Sequence, residues 1–230
     1  MHTASLTGIS SMATRALLGD LAQAYGQRSG VNVHFESVGG VDAAQRVATG
    51  EAFDVVVLAS DAIDKLAAAG HVRDGSRADL VRSEVAGAGR AGAHRPDIGS
   101  EAALRRAVLA APRIGYSTGP SGTALLALFA RWGVAETLRE RIVQAPPGVP
   151  VGALVARGEV DLGFQQLSEL MPQQGIDIVG PMPADAPILT IFSGALCAAG
   201  TQPLAAQALL EFMRSPETAE LKRRHGMRPP

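Results

Sequence analysis

The stretch of the sequence best suited to bind a ligand is a turn rich in glycine and hydroxyl residues, which runs from Gly115 to Thr123 between a predicted strand and a predicted helix. Glycines let the backbone approach a ligand closely, and the free N–H groups at the start of a helix attract negative charge. The candidate anion-binding residues of this turn are Ser117, Thr118, Ser121, Gly122 and Thr123. The alternative is an ordinary capped turn with Ser121 as the N-cap, and the Gly-Lys-Ser/Thr ending of a P-loop is absent.

Four further turns have the same position in the chain, after a predicted strand and before a predicted helix. Their candidate binding residues are Ser10 and Ser11 in the first, Gly39 and Gly40 in the second, Val149 in the third, and Gln165 and Gln166 in the fourth. Helix capping, tight turning and loop anchoring are the simpler alternatives. In an open α/β sheet, however, the carboxyl ends of the strands share one edge, where ligands bind. Two such sheets that face each other would place all five turns around one cleft.

Groups for acid–base, nucleophilic or metal chemistry are scarce. The five histidines have no metal-ligand spacing, the single cysteine, Cys197, lies in an apolar segment, and no Gly-x-Ser-x-Gly motif is present. Arg15, after the first hydroxyl turn, could pair with a carboxylate or could be an exposed helix residue. Asp42 and Asp61 are candidate bases, but both are also typical helix-start carboxylates. The sequence thus predicts neither a metal site nor a cofactor, and it identifies no catalytic residue.

Strands and helices alternate along almost the whole chain, which is typical of a layered α/β fold with parallel strands. The apolar run from Phe53 to Ala59 predicts a central strand covered on both faces. The first strand is predicted to end near Gly8, and the segment 83–89 is predicted to leave the first lobe as a strand. The later part is predicted to contain an irregular stretch marked by Pro181, Pro183 and Pro187, a strand at 188–197 and terminal helices at 203–224.

Composition excludes several classes of protein. The 230-residue chain is 47% hydrophobic and 19% charged, as expected of a globular rather than a disordered protein, and its net charge of −1 provides no basic field for nucleic acid. No segment reaches the roughly 18 apolar residues that span a bilayer, so no direct membrane insertion is expected. Because no signal peptide precedes Thr3, we expect either a cytoplasmic protein or the mature form of a secreted protein with a new start codon.

Several segments, taken in order, resemble one protein family. They are Ser10-Ser11-Met12 before the first helix, the strand from Phe53 to Ser60, the segment from Ala156 to Phe164, and the helix from Ala208 to Glu217. The chain resembles the molybdate-binding-like group of extracellular solute-binding proteins, which have the type 2 periplasmic-binding-protein fold. The resemblance runs from Ser10 to His225, and it implies an α/β fold with two lobes and a ligand cleft between the lobes.

The resemblance also implies a domain division, a kind of ligand and a partner. Residues 1–86 and 188–230 are expected to form one lobe, and residues 87–187 the other. A small anionic ligand is expected to be held by hydroxyls and backbone amides at helix starts. The implied partner of such a solute-binding protein is a membrane transporter permease.

Departures from the family pattern bear on the identity of the ligand. Ser10 or Ser11 matches the first oxyanion-binding serine of the molybdate binders. The second serine is missing, because Val38-Gly39-Gly40 stands in its place. Gln165 or Gln166 replaces the tyrosine that molybdate binders place after the late strand. These departures favour an organic di- or tricarboxylate over molybdate or tungstate.

Two alternative functions fit the same fold. Some proteins of this fold resemble enzymes, such as aconitate isomerase, which moves a proton on a tricarboxylic acid without a cofactor. The absence of a signal peptide keeps the isomerase alternative open, and a cytoplasmic ligand sensor of the same fold is the other alternative. A receptor needs only a binding site, whereas an isomerase also needs an acid–base group within about 3 Å of the proton it moves, or linked to it through one water.

Overall fold

The computed structural model describes residues 5–230, so residues 1–4, with which the predicted first lobe begins, lie outside the described part. The strands are β1 (Ser5–Ser11), β2 (Asn32–Val38), β3 (Val55–Ala59), β4 (Ala78–Arg90), β5 (Ile114–Tyr116), β6 (Ile142–Gln144), β7 (Leu162–Gln166), β8 (Ile176–Pro181), β9 (Leu189–Leu196) and β10 (Met227–Arg228). The α-helices are α1 (Arg15–Ser29), α2 (Gly40–Ala48), α3 (Ser60–Ala68), α4 (Glu101–Ala110), α5 (Pro120–Arg131), α6 (Ala135–Leu138), α7 (Val151–Ala156), α8 (Leu167–Leu170), α9 (Pro203–Arg214) and α10 (Ala219–Arg224). Two 3₁₀ helices span Met12–Thr14 and Pro216–Thr218.

The chain folds as two compact units. The first unit consists of the residues up to Arg82 together with Ile191–Pro230, and the second consists of Ser83–Thr190. The chain therefore leaves the first unit within β4 and returns to it within β9. In the described residues 5–230, no helix is both long enough and apolar enough to cross a membrane.

The first unit is a sheet with helices on both faces. β1 has β2 and β3 as parallel neighbours, and β9 pairs antiparallel with β3. Every residue of β3 is buried, as expected for a strand covered on both sides. Because successive strand residues point to opposite faces, Val55 and Val57 pack with α1 and α9, whereas Val56 and Leu58 pack with α2 and α3.

The second unit has a mixed sheet. β5 has β6 and β7 as parallel neighbours, while β7 and β8 both pair antiparallel with β4. The short helix α7 packs closely on β5 and β7 because glycines lie beneath it. A Cβ atom at Gly115 would lie 2.9 Å from the Val151 Cγ1 atom, and one at Gly163 would lie 2.8 Å from the same atom.

The single tryptophan of the chain, Trp132, lies at the end of α5 in the second unit. Its ring centroid is 5.9 Å from that of Phe129, and its indole N–H donates to Glu101 Oε1 at 2.5 Å. This hydrogen bond, together with one from Arg131, lowers the pKa of Glu101 because both donors favour the ionised carboxylate.

The predicted α/β fold class is confirmed, but some element boundaries differ from the predictions. β1 continues to Ser11 instead of ending near Gly8, and β4 is much longer than the predicted segment 83–89. Ile176–Pro181 forms β8, although its proline predicted an irregular stretch. This strand pairs with β4 and ends at Pro181, and a proline without an N–H is tolerated at such an edge position.

Candidate functional site

In the first unit, the candidate site lies at the carboxyl ends of three parallel strands. Ser11 of β1 is paired with Val38 of β2, and β3 lies on the other side of β1 in parallel register. The 3₁₀ helix before α1 begins at Met12, α2 begins at Gly40 and α3 begins at Ser60. Because the first amides of a helix have no acceptor within it, three helix starts direct free N–H groups to this edge.

The side chain of Ser11 is the most informative group at this edge. Its Oγ atom is buried and has no hydrogen-bond partner among residues 5–230. It does not cap the 3₁₀ helix that follows it. A Cβ atom at Gly40 would lie 3.7 Å from Ser11 Cβ, so the serine side chain stands beside the first residue of α2. A buried hydroxyl next to a helix start is suited to bind an anion.

Ser10 has a neighbour that the sequence analysis missed. Its buried Oγ atom lies 2.8 Å from Ser37 Oγ, because Ser10 and Ser37 are paired in the parallel register of β1 and β2. Ser37 thus places a second hydroxyl beside Ser10, next to the segment Val38-Gly39-Gly40 that itself contains no serine. This pair becomes visible only from the register of β1 and β2, which cannot be deduced from the sequence.

The other first-unit candidates have more ordinary surroundings. Gly39 is the N-cap of α2, and its carbonyl oxygen accepts the Ala43 N–H at 2.8 Å. Arg15 is exposed and lines a groove between α1 and β2. Asp42 and Asp61 are exposed and lie in the first turns of α2 and α3, which is the typical helix-start arrangement.

In the second unit, the glycine- and hydroxyl-rich turn follows β5 at the carboxyl edge of the parallel strands. Ser117 Oγ and Ser121 Oγ lie 2.8 Å apart, and Ser121 is buried. The helix begins at Pro120 with Gly119 as its N-cap, so the alternative role of Ser121 as the N-cap is wrong. The two hydroxyls instead form a pair in which either oxygen can donate.

The amides of this turn are less available than expected. The N–H groups of Gly122 and Thr123 both donate to the Gly119 carbonyl oxygen, at 3.0 and 3.2 Å. Gly122 has a structural reason to be glycine, because a Cβ atom there would lie 1.8 Å from the Ser117 carbonyl oxygen. The side chains of Thr118 and Thr123 are exposed. The Ser117–Ser121 pair is therefore the better-founded part of this candidate.

Gln165 links three elements of the second unit. Its Oε1 atom accepts the Val151 N–H at 2.7 Å, which satisfies an amide at the start of α7. Its Nε2 atom donates to Glu169 Oε1 at 2.8 Å. Val149, the candidate in the preceding turn, uses its own N–H to close that turn on the Pro146 carbonyl oxygen at 3.0 Å. Both ends of the Gln165 amide and the Val149 amide are thus held within the protein.

Gln166, the next residue, retains an unused acceptor. Its Nε2 atom donates to Thr190 Oγ1 at 2.7 Å. Its Oε1 atom is buried and has no partner in the described part of the chain. Gln166 therefore can still accept a hydrogen bond from a ligand hydroxyl or a protonated carboxyl group.

Each of the two edges carries groups that can donate hydrogen bonds to an anion. These donors are serine hydroxyls and helix-start amides, whereas the carboxamide of Gln166 offers only an acceptor. Between residues 5 and 230, no group of three or more His, Cys, Asp or Glu side chains could hold a metal ion. His2 lies outside the described residues.

Comparison with known proteins gives the family. A family model described as bacterial extracellular solute-binding protein matches residues 6–228. The chain belongs to this family. One relative is aconitate isomerase from Pseudomonas sp, which is 38% identical over 231 residues. The alignment covers 98% of this chain and 88% of that protein. The molybdate-binding protein ModA of Azotobacter vinelandii is 27% identical over 119 residues, covering 47% of this solute-binding protein and 44% of ModA.

Solved structures give the same fold. The periplasmic molybdate-binding protein of Azotobacter vinelandii superposes with a TM-score of 0.80 at 21% identity, covering 98% of this chain and 99% of that one. The substrate-binding domain of a molybdenum ABC transporter from Clostridium difficile superposes with a TM-score of 0.77 at 15% identity, covering 99% and 100%. The predicted type 2 periplasmic-binding-protein fold is therefore confirmed.

Proposed function

We propose that this solute-binding protein binds a small organic acid with two or three carboxylates. The observation that carries the proposal is the buried Ser11 hydroxyl beside the start of α2, with no partner among the described residues. A buried hydroxyl without a partner costs about 1–3 kcal/mol, and an anionic ligand that accepts its hydrogen bond removes that cost. Within the second unit, the Ser117–Ser121 pair at the start of α5 is a separate candidate set of hydroxyls.

Three features support an organic acid rather than molybdate. Val41, the second residue of α2, is 74% exposed and offers an apolar contact beside the helix-start amides, which suits the carbon skeleton of a ligand. The relative at 38% identity over nearly the whole chain is named for aconitate, a tricarboxylate, whereas the ModA match covers less than half of the chain. Gln166 adds a neutral acceptor for a ligand hydroxyl or protonated carboxyl group.

Isothermal titration with cis-aconitate, trans-aconitate, citrate and molybdate tests the ligand class. We expect saturable binding of at least one of the three carboxylates and no comparable heat from molybdate. In a thermal-shift experiment, a ligand at 100 times its Kd adds about 2.7 kcal/mol to the free energy of unfolding. Sub-micromolar molybdate binding without a response to the carboxylates would contradict the proposal.

A pair of serine variants separates ligand binding from helix capping in the second unit. Ser100 is a true N-cap, since its side chain accepts the Ala103 N–H at 3.2 Å, so Ser100→Ala should cost about 1 kcal/mol of stability and leave the Kd unchanged. Ser121 is not a cap, and a hydrogen bond to a charged ligand contributes about 1.5–3 kcal/mol. Ser121→Ala should therefore raise the Kd roughly tenfold or more. Equal Kd values for both variants would remove Ser121 from the site.

A second candidate function is isomerisation of the bound acid. This function is favoured by the 38% sequence identity to aconitate isomerase, in an alignment that covers 98% of this chain. An isomerase and a transport receptor share the binding step, but a receptor passes its ligand to a membrane permease, whereas an isomerase moves a proton. Proton NMR of cis- or trans-aconitate in deuterated water distinguishes them. Stereochemical conversion or deuterium uptake above a protein-free control supports the enzyme, and an unchanged spectrum supports the receptor.

A further inference from the structure

Glu169 is an acidic residue at the candidate edge of the second unit that sequence inspection did not select. It lies in α8, which begins directly after β7. β7 is parallel to β5, and Phe164 of β7 is paired with Tyr116 of β5. Gln165 and Ser117 are the residues that directly follow this pair. The Gln165–Glu169 segment and the Ser117 hydroxyl turn therefore leave the sheet side by side.

The position of the Glu169 carboxyl group is fixed by a buried carboxamide. Gln165 Oε1 accepts the Val151 N–H at 2.7 Å, so the NH₂ end of the same amide must point the other way. That end donates to Glu169 Oε1 at 2.8 Å. Gln165 is only 2% exposed, so this orientation is held by its surroundings as well as by two hydrogen bonds. One carboxyl oxygen of Glu169 is thus anchored, and the other has no hydrogen bond within the described chain.

The electrostatic surroundings of Glu169 contain little that favours a charge. Burial raises its pKa from the ordinary 4.5 to about 7, and the hydrogen bond from Gln165 opposes the rise only in part. No cation and no second carboxylate of the described chain acts on this pKa. Such a group exchanges protons readily near neutral pH, which is the property required of an acid–base catalyst.

We propose that Glu169 is the proton-transfer group of the isomerisation described above, an inference that rests on the proposed carboxylate site. The Glu169 carboxylate removes a proton from the methylene carbon next to the carbon–carbon double bond of the acid. The electrons of that C–H bond form a new double bond, and the old π pair takes a proton at the far alkene carbon. Glu169 returns this proton, so the step consumes no electron, cofactor or net proton.

The neighbouring hydroxyl turn supports the charge that develops in this step. Loss of the proton spreads negative charge over the allylic carbons and the attached carboxylates. Donors placed where charge develops stabilise a transition state more than they stabilise the ground state. The paired hydroxyls of Ser117 and Ser121 are such donors, and they follow the strand next to that of Gln165.

Three variants test the assignment. Glu169→Gln keeps the shape but removes the titratable group, Glu169→Asp keeps the carboxyl group but withdraws it, and Glu136→Gln makes the matched change at an exposed glutamate of the same unit paired with Arg139. Each is titrated with cis- and trans-aconitate by calorimetry and followed by proton NMR in deuterated water. We expect Glu169→Gln to lower the turnover rate about 100-fold or more with a Kd within about threefold of wild type. Glu136→Gln should be unchanged.

The pH profile distinguishes a proton-transfer role from a structural one. The wild-type rate should rise with an apparent pKa near that of Glu169, and Glu169→Asp should retain a measurable rate with a shifted profile. Deuterium exchange that survives Glu169→Gln overturns the assignment. So does a wild-type protein that binds aconitate but neither converts nor exchanges it, although the binding proposal then stands. Failure of the wild type to bind any carboxylate overturns the binding proposal itself.

Discussion

Replacing Gly122 with alanine should destabilise the second unit, although glycine to alanine changes within helices are usually favourable. Gly122 lies in the first turn of α5, where alanine has a helix-propensity advantage of up to about 1 kcal/mol. The new Cβ atom, however, would lie 1.8 Å from the Ser117 carbonyl oxygen, about half of a normal contact distance. Forced overpacking of this kind costs about 1–3 kcal/mol and sometimes more. We therefore expect a net loss of about 2 kcal/mol.

The matched control is Gly19→Ala in α1, because no atom lies within 4 Å of a Cβ atom at Gly19. This variant should gain about 0.5–1 kcal/mol. Urea unfolding followed by circular dichroism measures both free energies, and a loss of 2 kcal/mol should lower the Tm by about 4–8 °C. The Gly122 variant should also bind carboxylates less tightly, since the backbone of Ser117 must move. If Gly122→Ala were as stable as Gly19→Ala, the packing argument for this turn would be refuted.

Three further predictions concern single side chains. Ser11→Ala should leave the free energy of unfolding unchanged or slightly higher, because the Ser11 hydroxyl has no partner among the described residues. The Kd for a carboxylate, measured by calorimetry, should rise roughly tenfold. Glu169→Gln should be more stable than wild type at pH 8. Because the pKa of Glu169 is raised in the folded protein, the free energy of unfolding of the wild type falls by up to about 3 kcal/mol as pH rises from 4.5 through 7. Urea unfolding at pH 4 should show no difference between the two proteins. Lys222→Met should be more stable at pH 7, because burial lowers the pKa of Lys222 to about 8. Unfolding measurements should show this advantage shrinking as pH rises from 8 to 10.5.

The parts of the fold that were predictable are those with a strong local pattern. The apolar run that became β3 predicted a fully covered strand, because a strand of five consecutive apolar residues exposes apolar surface unless both of its faces are covered. A helix also follows each of the five candidate turns, as the alternation of strands and helices predicted. β8 was missed because its pairing with β4 outweighs the local preference of a proline-bearing segment.

The site was less predictable because its contacts depend on strand register. The sequence pointed to Ser10 and Ser11 as a hydroxyl turn, but the structure places them at the end of β1, with Ser37 beside Ser10. The role of Gln165 between α7 and Glu169 depends on elements 14 and four residues away in the chain. No local signal marks Glu169, since its raised pKa arises from burial that only the folded chain creates. Which of these residues contact a ligand stays a prediction.

The location of Trp132 makes unfolding of the two units optically distinguishable. As the sole tryptophan, it emits only from the Ser83–Thr190 unit, and its fluorescence should change when the indole loses its hydrogen bond to Glu101 and meets water. Circular dichroism, by contrast, reports the helices of both units. Denaturation curves that coincide in the two signals would indicate one cooperative transition, whereas an offset would show that the units melt in sequence. A carboxylate added during such a titration would then reveal, from the curve that it displaces, which unit gains stability from the ligand.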